Sequence, residues 1–383
     1  MNLIIYLEMI MKLQEKLDTL VDKYLYSFEI FARKEKLMKC KKSTVGRLNN
    51  EEIVAYNVKF ENGFEVEILN LGGVITKIIT PNKDNNLENI VLAYEDINDY
   101  IENPYYYGAI IGRTAGRINE GKIVIDDKEY ALNKNYGVHQ GHGGNQGFNH
   151  RIWQVEVEEN KNYVTLNLST LSKDMEENYP GNLNINVIFN IYENYKIEEI
   201  YKAKSDKTTL VNMTNHTYFN LSGNIKEPVT DSYLKLGSDC ILELNETYVP
   251  TGKKIDVTKT PFDFRKLKLI GRDIDANHEQ IKIGNGYDHA FLLNNDKKIY
   301  LEDKKSKRNM TIETNQDCVV VYTMNWEHEK MTYTGEVPPI RHGICFETQH
   351  PPIGENMCFI KESLLNKDEE YMQKTVYKFS TSK

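Results

Sequence analysis

Apolar and polar residues alternate over many short segments after residue 45, and this period of two constrains the fold more than any other feature. Successive side chains of a β-strand point to opposite faces, so alternation marks a strand with one buried face. Turn residues such as Asn62-Gly63 and Pro180-Gly181-Asn182 separate the segments. The clearest alternating segments are residues 64–69, 122–126, 163–169, 183–192 and 233–238. Many short strands in a chain of 383 residues predict an all-β fold, a large antiparallel β-sandwich.

The first part of the chain has a different pattern. Four residues recur there at spacings of four, three and four, which indicates one face of a helix: Leu13, Leu17, Leu20 and Tyr24. This part contains no Gly or Pro and ends in a basic run. We therefore predict a helical N-terminal extension over residues 1–41 and a single β-sandwich catalytic domain over residues 42–383. A packing or dimerising helix is the simplest role for the extension.

Charge and cysteine content narrow the class of partner. The net charge is −8 and the pI is about 5.7, so no basic face is expected for nucleic acid. The apolar start is short and interrupted by Glu8, which predicts neither a signal peptide nor a membrane span. The five cysteines are spread along the chain without a CxxC pair, which fits reduced thiols better than a disulfide framework. We expect a cytoplasmic protein, a monomer or homodimer, whose partner is a small molecule.

Two glycine-containing stretches carry charged residues where a turn is expected. In residues 110–122, Arg113 and Arg117 lie among small residues that let a ligand approach closely. In residues 137–148, His139 and His142 lie in a loop with five glycines. Arginines at turns are usually solvated or paired, and a glycine-rich loop is usually a surface loop. The His-x-x-His spacing also leaves a metal site open, although no helix supports it and no carboxylate follows nearby.

Two further stretches place polar side chains next to strands. In residues 212–223, alternation puts four polar side chains on one face, which resembles the floor of a hydrogen-bonding pocket: Thr214, His216, Tyr218 and Asn220. A buried, satisfied histidine is the plainer interpretation. Asp288 precedes an apolar strand and is suited to accept hydrogen bonds from hydroxyl groups or to orient a histidine, although such a residue is more often part of a turn.

A carboxylate follows a short buried strand near the end of the chain. Glu347 comes after Ile344-Cys345-Phe346, and Pro351 and Pro352 end the strand. A partly desolvated carboxylate has a raised pKa, which suits a general base, and histidine is the natural partner acid. The chain has no GxSxG, P-loop or GxGxxG motif after a strand. These residues indicate acid–base chemistry on a neutral, hydroxyl-rich ligand.

Taken together, these stretches resemble the aldose 1-epimerases, the galactose mutarotase family. The resemblance runs from about residue 43 to the C-terminus through motifs in family order: GRTAGRI, HGGNQGF with Trp153 after it, NYPGNL, NMTNHTYFNLSG, YVPTG with TPFDFR, GYDHAF and FETQHPP. Each motif is modest evidence, whereas seven in order are strong evidence. The resemblance implies a mutarotase-type β-sandwich with the sugar in a cleft on one sheet.

The resemblance also implies roles for residues. Glu347 would take the proton from the anomeric hydroxyl O1, and His216 would protonate the ring oxygen O5. His142 would share the acid role, while Arg117 and Asp288 would hold sugar hydroxyls. The ring would open, rotate about C1–C2 and close again, with no cofactor or metal. The expected substrate is an aldohexose, galactose or glucose, in hexose metabolism.

Three positions depart from the family pattern on the ligand side. Gly116 stands where the family has a sugar-contacting Asn, Val320 stands where it commonly has Gln, and Trp326 replaces a smaller aromatic residue. Gly116 and Tyr218 remain candidates for substrate contact. The reaction type is therefore predicted more firmly than the sugar, which need not be galactose.

Three other functions stay open on the sequence alone. A sugar-binding or sugar-sensing protein would keep the cleft without turnover. A glycoside hydrolase would use Asp288 and Glu347 as its two carboxylates. A metal-dependent isomerase would use His139 and His142.

Overall fold

The computed structural model describes residues 39–382 and, ahead of them, residues 11, 13, 14, 16, 17, 19–21, 23 and 24. The latter residues are helical, and the side chains of the predicted stripe are exposed: Leu13, Leu17, Leu20 and Tyr24. The rest of the predicted extension before residue 39 lies outside the described residues. The first strand begins at Cys40, two residues before the predicted domain start, and the division into extension and domain stays a prediction.

The described residues from 39 onward form mainly β-strands. In the first half of the chain they are β1 (Cys40–Leu48), β2 (Glu51–Lys59), β3 (Glu65–Leu69), β4 (Ile75–Pro81), β5 (Leu87–Asn89), β6 (Ile110–Ile111), β7 (Arg117–Ile118), β8 (Lys122–Ile125), β9 (Lys128–Ala131), β10 (Gln140–Gly141), β11 (Gln154–Glu159), β12 (Tyr163–Ser172), β13 (Leu183–Tyr192) and β14 (Lys196–Ser205).

The remaining strands are β15 (Thr209–Leu210), β16 (Thr214–Asn215), β17 (Tyr218–Phe219), β18 (Tyr233–Leu236), β19 (Ser238–Leu244), β20 (Pro250–Asp256), β21 (Lys268–Leu269), β22 (Asp288–Leu293), β23 (Lys298–Glu302), β24 (Arg308–Thr314), β25 (Cys318–Tyr322), β26 (Ile344–Gln349), β27 (Leu364–Leu365) and β28 (Glu370–Thr381). Three short α-helices interrupt them: α1 (Asp99–Glu102), α2 (Glu279–Gly284) and α3 (Ile360–Ser363).

Three antiparallel sheets organise most of these strands. The largest runs β11-β12-β13-β14-β28-β24-β23-β18-β21, the second runs β17-β26-β25-β22-β19-β20, and the third runs β1-β2-β3-β4-β5. The strand pairings within them are antiparallel, as in β13 with β14 and β25 with β26. The prediction of a large antiparallel β-sandwich is therefore confirmed.

The main core lies between the nine-stranded sheet and the other two. Along β13, Leu183, Ile185, Val187, Phe189 and Ile191 are buried, while the residues between them are more exposed, as the alternation predicted. Phe219 of the six-stranded sheet bridges Phe346 and Tyr377, at 6.5 and 5.7 Å between ring centroids. Burying each large apolar side chain contributes roughly 1.5–3 kcal/mol, so this layer holds the sheets together.

Strand β26 is buried on both faces and connects this core to the functional site. Ile344 and Phe346 belong to the main core, whereas Cys345 packs in a second apolar cluster with Tyr218. Glu347 faces the same side as Cys345 because side chains alternate along a strand. Among the described residues, no helix has the length and apolar character needed to cross a membrane.

Candidate active site

A cavity of about 270 Å³ opens on the side of β26 away from the main core. The seven residues predicted to be catalytic or to contact substrate line it: Gly116, Arg117, His142, His216, Tyr218, Asp288 and Glu347. They come from five separate parts of the chain, so only the fold brings them together. The other lining residues are mostly aromatic or apolar, a composition typical of small-molecule sites.

Glu347 lies on β26, the second strand of the six-stranded sheet, where its backbone pairs with Val320 of β25. Its side chain is buried, and Oε1 lies 3.6 Å from Nε2 of His216. Burial and, to a smaller extent, the nearby Asp288 raise the pKa of Glu347 to about 8, and Arg117 opposes the shift. Near neutral pH the free protein therefore keeps this carboxyl largely protonated.

His216 lies between the two-residue strands β16 and β17, which pair with β6 and β26 respectively. Its backbone N–H donates to the carbonyl of Ala109, and its own carbonyl accepts from the N–H of Gly108. The predicted continuous strand is thus broken at His216, because the chain leaves one partner and joins another. Burial lowers the pKa of His216 to about 4, so its imidazole is neutral near pH 7.

His142 is held in the glycine-rich loop with a left-handed backbone, φ 49°. Its N–H donates to the carbonyl of Gly116, and its ring lies among Tyr106, Tyr136 and His216 at 4.9, 5.8 and 5.5 Å between centroids. Nδ1 is buried without a hydrogen-bond partner. Burial lowers the pKa of this imidazole, and the nearby His216 and Arg117 lower it further. A buried polar atom of this kind is expected to bind a ligand or water.

Arg117 and Asp288 present charged groups to the cavity. The guanidinium of Arg117 lies over the rings of Tyr136 and Tyr248, at 5.2 and 5.1 Å from their centroids. Within residues 39–382, neither the guanidinium of Arg117 nor the carboxylate of Asp288 makes a hydrogen bond to a protein group. Burial raises the pKa of Asp288, and Arg117 opposes that shift. Both groups are therefore available to ligand hydroxyls.

Tyr218 and Gly116 contribute shape. The hydroxyl of Tyr218 donates to the carbonyl of Tyr105 at 3.1 Å, so the ring of Tyr218 forms part of the cavity wall. Gly116 has φ +75°, and a Cβ there would lie 2.7 Å from Cβ of Pro352. The space that a larger residue would need at Gly116 is thus taken by a proline ring.

Part of the predicted pocket floor is wrong. Thr214 and Asn220 do not line the cavity, because Thr214 donates to the carbonyl of Thr348 and Asn220 donates to the carbonyls of Glu227 and His342. Their polar side chains form hydrogen bonds that join strands and loops. Only His216 and Tyr218 of the predicted face reach the cavity.

Arg113 and His139 have partners within the protein. The buried guanidinium of Arg113 makes six hydrogen bonds, to Ser172, Lys173, Pro180, Gly181 and Thr209. His139 accepts the N–H of Glu120 at Nδ1 and contacts Thr247 Oγ1 at Nε2, 3.0 Å away. The two residues are therefore structural rather than cavity groups.

Among the described residues, the His139–His142 pair proposed as a metal site does not form a cluster of ligands. His142, His216 and Glu347 instead offer ligand atoms within 4.8 Å of one another. Two imidazoles and a carboxylate are donors that zinc accepts. Any metal at this position would occupy the groups that the motifs assign to proton transfer.

Sequence reasoning missed several cavity residues. Tyr105, Tyr106, Tyr136, Tyr322 and His328 line the cavity but lie outside the motifs, and Tyr248, the first residue of the YVPTG motif, was given no role of its own. The only signal was the count of 25 tyrosines, which suits a half-apolar site but points to no position. Val320 and Trp326, noted as departures from the family pattern, also line the cavity.

The chain matches a family model described as Aldose 1-epimerase over residues 55–378. It is 33% identical over 322 residues to galactose mutarotase of Rattus norvegicus, covering 83% of this chain and 91% of that protein. Aldose 1-epimerase of Escherichia coli (strain K12) is 30% identical over 329 residues, covering 83% of this chain and 92% of that protein.

The fold is similar to that of a solved structure, galactose 1-epimerase from Lactobacillus acidophilus NCFM. The TM-score is 0.82 at 28% identity, and the similarity covers 90% of this chain and 100% of that chain. The family resemblance seen in the motifs is thus confirmed by sequence and by fold. The chain belongs to the aldose 1-epimerase family, and the protein is an isomerase of sugars.

Proposed function

We propose that the protein interconverts the α and β anomers of an aldohexose, galactose or glucose, with Glu347 and His216 as the proton-transfer pair. One observation carries this proposal: a buried carboxylate and a buried imidazole lie 3.6 Å apart, in a cavity where Arg117 and Asp288 have no hydrogen bond to protein groups. Neutral, hydroxyl-rich ligands satisfy such groups without adding charge. We propose that this activity serves hexose metabolism.

Ring opening moves one proton across the pair. Near neutral pH the single proton of the pair lies mainly on Glu347, and the reactive form is the one in which that proton has moved to His216. In that form, ionised Glu347 takes the proton from O1–H while protonated His216 gives its Nε2 proton to O5, and the C1–O5 bond breaks to leave an aldehyde. After rotation about C1–C2, O5 attacks the other face of C1. His216 takes back the O5 proton and Glu347 returns a proton to O1. Proton counts balance, so the chemistry consumes no co-reactant.

Sugar contacts are proposed for the other groups. Arg117 and Asp288 hold hydroxyls, and His142, whose ring lines the cavity, hydrogen-bonds near the ring oxygen and shares the acid role. Gly116 and Val320 offer no side-chain hydrogen bond where the family usually does, which loosens discrimination between hydroxyl epimers. We therefore expect comparable mutarotation rates on galactose and glucose, with xylose and arabinose as further substrates to compare. A strong galactose preference would contradict this expectation.

The decisive experiment follows the optical rotation of fresh α-glucose and α-galactose. Glu347→Gln removes the base but keeps the side-chain size, so kcat should fall by about 10²–10⁴-fold. The exposed Glu370→Gln on β28 is the matched control and should keep the parent rate. If Glu347→Gln and the parent relax the sugar equally slowly, a sugar-binding protein without turnover becomes the better description.

Two further assays separate the remaining alternatives. Hydrolysis of an aryl glycoside would indicate that Asp288 and Glu347 act as a glycosidase pair. A chelator should leave the mutarotation rate unchanged, because the proposed steps need only protein acids and bases, and loss of activity would favour a metal-dependent isomerase. The five cysteines are all free thiols, which supports the cytoplasmic location that we propose.

A further inference from the structure

A thiol lies directly beside the imidazole of His216. Cys345 and Glu347 are two residues apart on β26, so their side chains project from the same face. Sγ of Cys345 lies 3.5 Å from Nδ1 of His216, and Oε1 of Glu347 lies 3.6 Å from Nε2. One strand thus places a group at each nitrogen of the ring.

The thiol is neutral. Cys345 is fully buried, and this burial raises its pKa well above the ordinary value, with Glu347 and Asp288 adding to the effect. A neutral thiol is a poor nucleophile, and the proposed steps use no covalent bond to sulfur. The contact with His216 is therefore a hydrogen bond, and its direction depends on which ring nitrogen carries the proton.

The proton-transfer steps restrict that choice. Nε2 faces Glu347 and exchanges the proton, so it is protonated when His216 acts as an acid and unprotonated when it acts as a base. A neutral imidazole carries one proton, which must then remain on Nδ1 throughout the cycle. The Nδ1–H group needs an acceptor that does not compete for the proton.

We propose that Cys345 is a positioning residue for the reaction: its sulfur accepts the Nδ1–H of His216 and leaves Nε2 free for proton exchange. This inference rests on the proposed function. A neutral sulfur is a weak acceptor, so it orients the ring without stabilising the imidazolium as a carboxylate would. His216 therefore remains acidic enough to give its proton to O5.

Nitrogen-15 NMR of the imidazole rings tests the hydrogen bond independently of activity. The signals of His216 are assigned by their loss in His216→Gln. In the parent protein we expect the Nδ1–H form. Cys345→Ala should shift the Nδ1 resonance or mix the two tautomers, and Cys345→Ser should retain the Nδ1–H form. Cys318→Ala, at a buried thiol on neighbouring β25, is the matched control and should leave these signals unchanged.

Kinetics test the positioning role. Cys345→Ala should lower kcat about tenfold with KM nearly unchanged, because a misoriented ring impairs proton transfer more than binding. Cys345→Ser should recover most of the rate, and Cys318→Ala should keep it. Thermal unfolding of each variant separates lost packing from lost positioning.

Two results would overturn the inference: an Nε2–H form in the parent protein, or a parent-like kcat in Cys345→Ala. A parent without mutarotase activity would instead overturn the proposed function, while the NMR result would still decide whether Cys345 accepts from Nδ1.

Discussion

At the scale of single residues, the Glu347–His216 pair sets the pH range of activity. Burial holds the pKa of the carboxyl at about 8 and that of the imidazole at about 4, so between these values the pair carries one proton. Above about pH 8 the pair has lost its proton and has no acid, and below about pH 4 both groups are protonated and the pair has no base. We expect kcat/KM to be flat from about pH 4 to about pH 8 and to fall on both sides. Limbs near pH 6 on both sides would contradict this.

Gly116 shows at the same scale how a departure from a family pattern can have a packing cause. Its φ of +75° is unfavourable for a side chain, and Pro352 occupies the space beside it. Gly116→Ala should reduce the free energy of unfolding by about 1–2 kcal/mol and raise KM, because either the backbone or Pro352 must move. Chemical denaturation and mutarotation kinetics measure the two effects. Gly137→Ala, with a similar φ of +61° and open space around it, is the control that separates steric from backbone cost.

At the scale of elements, Arg113 joins three separate parts of the chain. Its guanidinium bonds the end of β12, the Pro180-Gly181 turn and Thr209, and its burial is almost complete. Lysine presents three donors from a single atom and cannot reproduce this planar fork. Arg113→Lys should therefore destabilise the protein by about 2–4 kcal/mol, measured by denaturant unfolding. Arg47→Lys, in an exposed ion pair, should have little effect.

The elements also show what sequence could and could not predict. Alternation predicted β13 because every second side chain of this strand is buried and the side chains between are more exposed. The structure keeps that pattern over the full length of the strand. The alternation rule failed at His216, because the strands on either side have only two residues each and are too short to show a repeating pattern. Tyr106 and Tyr136 were not predictable as site residues, since distant loops bring them to His142.

At the scale of the whole molecule, a buried carboxyl group connects the nine-stranded sheet to the segment that carries His216. Glu199 of β14 accepts a hydrogen bond from the hydroxyl of Tyr201 at 2.5 Å and also hydrogen-bonds Asn215 and Tyr377. Asn215 adjoins His216 and accepts from Thr217 on its other side, so this network supports the segment that carries the proposed acid. Burial raises the pKa of Glu199 from 4.5 to about 7, because the core disfavours its charge despite these bonds.

This buried carboxyl makes stability depend on pH. Below pH 4.5 Glu199 is protonated in both folded and unfolded chains and imposes no penalty. As the pH rises to about 7, the unfolded chain ionises while the folded protein does not, so the free energy of unfolding falls by roughly 3 kcal/mol. Glu199→Gln should flatten this part of the stability curve, measured by denaturant unfolding at pH 5 and pH 7.5. Glu198→Gln, on the opposite face of β14 and paired with Lys196 and Lys374, should retain the slope that Glu199 produces. A curve that falls equally steeply in Glu199→Gln would show that another buried group, such as Glu347, dominates the dependence.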